Sequence, residues 1–155
     1  LLALTPVPAG ATPFTTVNPG FTISYTFGRG LTYGFEVSVV KWPGTLAALE
    51  RQPFGTGVAV DLSTDFSQLF KVRLGGEIVG PFIGVETGPA LVVDPSGAHL
   101  ALGTTFWGGW YVMPYYTHTL IFGDEPNLHE LGTYLKVYLD PDGTGAAHSH
   151  HHDWD

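Results

Sequence analysis

The 155-residue chain has no cysteine, which removes disulfide frameworks, thiolate catalysis and Cys-based zinc sites. Charge is also scarce. Charged residues make up 13% of the chain, against roughly 25% in an ordinary soluble domain. Only six residues are Lys or Arg, and the formal net charge is −8, which argues against nucleic acid or an anionic lipid surface as partner. Long apolar runs are missing as well. Nothing approaches the roughly 18 consecutive apolar residues of a transmembrane helix. What the chain has instead is 21 glycines and 14% aromatic residues, a composition suited to curved strands.

The clearest pattern runs from Phe21 to Lys41. Phe21, Ile23, Tyr25 and Phe27 alternate with Thr22, Ser24 and Thr26. After Gly28-Arg29-Gly30, the residues Leu31, Tyr33, Phe35, Val37 and Val39 alternate with Thr32, Gly34, Glu36 and Ser38. A period of two in aromatic and β-branched residues predicts a β-hairpin with two chemically different faces, and the glycines supply the positive φ that a tight turn needs. The less apolar face carries Thr, Ser and Gly rather than Lys and Gln. That is the character of a crowded barrel interior, with the apolar face turned to lipid.

Further strands are expected near Gly57–Ser63, Leu69–Val79, Phe82–Val93, His99–Phe106, Tyr111–Phe122 and His129–Leu139. Gly88-Pro89 predicts a bend or bulge in the fifth. Trp42–Thr56 is the longest connection, with a helical turn expected around Leu46–Glu50. The fold expected is an all-β, antiparallel up-and-down barrel of about eight strands, transmembrane in type. It divides into an extended N-terminal arm (1–20), the barrel (21–139) and a His- and Asp-rich tail (140–155). Leu1-Leu2-Ala3-Leu4 with Ala9-Gly10-Ala11 has the look of a signal-peptide end, the alternative being an apolar arm. Trp42, Trp107, Trp110, Tyr111, Phe122 and Tyr138 fall near strand ends, where an interfacial aromatic girdle is expected.

With these features the chain resembles the small eight-stranded outer-membrane barrels of Gram-negative bacteria, OmpA-like in the broad sense, over roughly Phe21 to Leu139. Glu130–Val137 is similar to the terminal strand signal of such barrels, without its terminal aromatic residue. The resemblance implies an outer-membrane location, lipid as surroundings and a non-enzymatic role.

Charged residues on the inward parity are Glu36, Asp61, Lys71, Arg73, Glu77, Glu86 and Lys136. An unpaired buried ion costs several kcal/mol, so these are expected to pair and plug an eight-stranded lumen. A proton or ion path is the alternative. His118 raises a hydrolase reading, by similarity to lipid A deacylase barrels, in which a His precedes a nucleophilic Ser by two residues. Here that position is Leu120, which cannot attack an ester. The third reading is a secreted soluble β-barrel holding an apolar ligand. Last, His148, His150, His151 and His152, followed by Asp153 and Asp155, offer ligands for Zn, Ni or Cu. Neighbouring protein chains are expected to order both termini.

Overall fold

The computed structural model describes residues 13–43, 54–109 and 111–141. Eight strands follow in order: β1 (Phe14–Thr26), β2 (Gly30–Trp42), β3 (Gly55–Thr64), β4 (Phe70–Val79), β5 (Ile83–Asp94), β6 (Gly97–Gly108), β7 (Val112–Ile121) and β8 (Leu128–Lys136). Each pairs antiparallel with its neighbours in sequence, and β8 pairs with β1, so the sheet closes into an up-and-down barrel. The expected helical turn at Leu46–Glu50 lies outside the described residues.

Stagger around the barrel follows from the registers. Thr16 pairs with Val40, Val40 with Gly57, Gly57 with Glu77, and Glu77 with Glu86. The row continues through Thr105, Thr117 and Glu130 and returns to β1 at Thr26, ten residues beyond its start. With ~3.3 Å per residue along a strand and ~4.8 Å between strands, that displacement tilts the strands by about 40°.

Two boundaries differ from the sequence reading by more than two residues, the start of β1 and the end of β8. The strand β1 begins at Phe14 rather than Phe21, because Phe14–Gly20 pairs with Glu36–Trp42 in unbroken register. On its other side, Pro19 accepts the Val137 amide at 3.0 Å but has no N–H to return. The β8 ladder therefore stops at Lys136 rather than Leu139. Pairing resumes as an isolated bridge in which Val17 and Leu139 exchange two amide bonds of 2.9 Å.

Gly88-Pro89 makes no bulge. Arg73 pairs with Ala90 and Gly76 with Thr87, so the register is the same on both sides. A Cβ at Gly88 would collide with the Leu74 carbonyl, and glycine lets the two backbones approach there. At the β1–β2 turn Gly28 and Gly30 have φ of 79° and 115°, the conformation the hairpin requires.

The barrel has two mouths. The terminal mouth is where β1 begins and β8 ends. The far mouth carries the turns and loops at 27–29, 65–69, 95–96 and 122–127. Ile23, Tyr25, Phe35, Val60, Leu102 and Leu135 are exposed on the outer wall, and Val37 and Val72 are half-exposed beside them. The alternate residues are buried in the lumen.

Candidate functional site: the charged lumen

The inward faces of β8, β1, β2, β3 and β4 bring Lys136, Gly20, Glu36, Asp61 and Arg73 side by side in one row. Lys136 Nζ donates to Glu36 Oε1, with Glu36 fully buried. Gly20 makes this pair possible, since a Cβ there would stand 2.8 Å from Lys136 Cγ. The Lys136 ammonium also lies 4.7 Å above the Tyr134 ring and 5.4 Å above that of Trp107, a cation–π arrangement.

Arg73 is the hub. Its Nη2 donates to Asp61 Oδ2 at 3.2 Å and to Glu86 Oε2 at 2.9 Å, and its Nη1 donates to Thr105. Thr105 continues to Thr117 at 2.7 Å. Gly103 leaves space for the Arg73 stem, which a Cβ would approach to 2.7 Å. The third cation, Lys71, pairs with Glu130. The second carboxylate oxygen of Glu130 accepts from Thr26 at 3.3 Å, and Thr26 leads on to Thr32 and Ser24.

All seven residues expected to face inward are buried in the lumen, but their pairing is only partly the expected one. Lys71 takes Glu130 rather than Glu36, Asp61, Glu77 or Glu86. The inward alternation of β8 places Glu130 with Tyr134 and Lys136, and this signal was legible in the sequence. Glu77 joins no ion pair among the described residues. It sits beside Glu86 in register, and its Oε1 has no hydrogen-bond donor there.

Apolar clusters close both ends. At the terminal mouth Phe14 stacks on Trp42 at 6.2 Å, and Tyr115 and Tyr134 pack at 4.3 Å, with Trp107 and Met113 in the same cluster. Trp42 and Trp107, expected in an outer girdle, are thus lumen residues. They share inward parity with Val40 and Thr105, and Trp42 Nε1 donates to Thr16 at 3.2 Å. Tyr111 and Phe122 are exposed as expected. Tyr138 is half-buried, edge-on to Tyr111 at 6.4 Å, and Trp110 lies outside the described residues. Phe54 and Phe82 are further exposed aromatics at the terminal mouth, as are Phe27 and Phe66 at the far one. Leu69, Val92, Ile121 and Leu128 close the far end of the lumen.

Beyond that cluster, the far mouth is spanned by Arg29 and Asp94, 2.5 Å apart. Asp94 also accepts from Ser96, and His99 lies 3.6 Å from it. In the neighbouring loop, Asp65 Oδ1 accepts the amides of Ser67, Gln68 and Leu69 at 2.7–2.9 Å. Slight desolvation raises the Asp65 pKa, but these backbone donors outweigh it and hold the carboxyl below its usual range. The same bonds hold Phe66 in a left-handed conformation, φ 61°, unusual for an aromatic residue.

No cluster of three or more His, Asp or Glu poised for a metal occurs among the described residues. The expected metal ligands His148, His150, His151, His152, Asp153 and Asp155 lie outside them. His118 is half-exposed on the outer wall with Leu120 on the same face, while Thr119 is buried in the lumen. No protein-family model and no curated protein matches the chain.

Proposed function

We propose that the protein is a non-enzymatic β-barrel of a Gram-negative outer membrane, with a plugged polar lumen, acting as a structural or interaction component of a larger assembly. One observation carries this reading. Every formally charged residue of the eight strands lies on the inward parity except Lys41, next to last in β2. A barrel in water has the opposite polarity, with charge outside and an apolar interior for an apolar ligand. A lipid-facing wall tolerates a Lys near its rim, where the ammonium reaches the headgroups. Strands of 9–13 residues suit the ~9–11 that a tilted strand needs to cross the hydrocarbon.

The plug reading rests on the ion pairs and the two apolar closures. Eight strands enclose a space that side chains can fill.

Folding from urea tests the membrane reading. Diluted into phospholipid vesicles, the chain is expected to acquire β-structure and an electrophoretic mobility that changes on boiling. Diluted into buffer alone, it is expected to aggregate. A folded, monodisperse protein in detergent-free buffer overturns the reading.

A further inference from the structure

One row of outward side chains breaks the apolar wall. Thr87, Thr104, His118 and His129 are successive register partners across β5, β6, β7 and β8. Thr87 and Thr104 satisfy each other at 3.0 Å. The two histidines are directly opposed, with ring centroids 4.9 Å apart and planes inclined by 24°. His129 is the second residue of β8, so the pair lies towards the far mouth.

We propose that His118 and His129 bind a divalent d-block cation, Cu²⁺ most tightly. Directly opposed residues of antiparallel strands hold their Cβ atoms about 4.5–5.5 Å apart, so modest side-chain rotation converges two imidazole nitrogens on one ion. Tyr116 prepares one of them. Its hydroxyl is 2.6 Å from His129 Nδ1. When Nδ1–H donates to that oxygen, the Nε2 lone pair is free to ligate, which is the outer-shell arrangement that orients metal-bound histidines. The ring nitrogens of His118 have no hydrogen-bond partner among the described residues, so a metal satisfies a polar group that the wall does not. Imidazole donors favour Cu, Ni and Zn over Mg, and Cu²⁺ stands highest among divalent first-row ions. Water completes the coordination.

The test is a Cu²⁺ titration of the full chain in detergent micelles, followed by calorimetry and electron paramagnetic resonance. His148, His150, His151 and His152 are replaced by Ala, so that tail binding does not contribute. The expected result is one equivalent of Cu²⁺ with hyperfine coupling to two imidazole nitrogens, and none of Mg²⁺. His118→Gln and His129→Gln should each weaken binding at least tenfold, and Tyr116→Phe several-fold. Boiling-sensitive mobility verifies that each variant is folded. His118→Ala and His129→Ala repeat the test should a Gln variant fail to fold. A flat titration of the tail-substituted chain, or binding unchanged in folded His118 and His129 variants, overturns the proposal.

Discussion

Arg29 and Asp94 meet at 2.5 Å across the far mouth, although their turns lie on opposite sides of the barrel. Arg29 belongs to the β1–β2 turn, and Asp94 is the last residue of β5, where the chain enters the β5–β6 turn. A contact of this kind ties two hairpins that share no backbone pairing.

Breaking this strap is expected to loosen the mouth and leave the barrel intact. The Arg29 side chain is 24% exposed, so solvent screens the pair and its contribution to global stability is small. In Arg29→Ala, hydrogen exchange should quicken at residues 27–29 and at Ser96 and Gly97, and remain slow in the strands. Faster exchange throughout β1–β8 would instead make the strap a global element.

The lumen pairs are a different matter, because both partners are buried. Glu36→Gln leaves the Lys136 ammonium without its carboxylate, at a cost of about 3–5 kcal/mol. Glu36→Gln combined with Lys136→Met removes the stranded charge and should recover most of that loss. Urea unfolding of the two single variants and the double variant gives the coupling. Simple additivity would mean that the two side chains act independently.

Loop 65–69 supplies the pH dependence. The folded-state pKa of Asp65 is lowered, so its stabilisation is full above the ordinary carboxylate value and is lost only as pH falls through the lowered one. Exchange protection at Ser67, Gln68 and Leu69 is therefore expected to survive at about pH 4, near the unperturbed value, and to fade at more acidic pH. Asp65→Asn should weaken that protection at every pH. Loss centred above the ordinary range would contradict the assigned cause.

Much of this architecture is legible in the sequence because a period of two is a local property. Alternation in Phe21–Lys41 reports two strands and their faces directly. Phe14–Gly20 is less legible. Pro19 resembles a strand breaker until its missing N–H is seen to fall on the β8 side, where it shortens only that ladder. Ion-pair partners are not local at all. Lys71 reaches Glu130, 59 residues away, through the stagger of ten residues that closure imposes. Alternation places both residues inside, and only the closed geometry decides that they meet. Aromatic position has the same limit, since Trp42 and Phe122 both lie at strand ends yet one is in the lumen and the other on the wall.

The outer wall should reject charge at mid-height and tolerate it at the rim. Leu102→Arg places a guanidinium in the middle of β6 and is expected to cost about 2–4 kcal/mol of folding stability in vesicles. A Thr15→Lys substitution, opposite Lys41 near the terminal mouth, should cost less than about 1 kcal/mol. Equal costs at the two positions would remove the depth dependence that a bilayer imposes.

The most direct test of the central claim uses the absence of cysteine. Single cysteines at Val58, Val60 and Leu62 on the outer face of β3, and at Ala59 on its inner face, take a nitroxide label without competing thiols. In vesicles, the three outer labels should be readily relaxed by oxygen and protected from a water-soluble nickel chelate, with oxygen access greatest at mid-height. The Ala59 label should be protected from both. Ready access of the nickel chelate to the Val60 label in the folded protein would place that wall in water and contradict the membrane account.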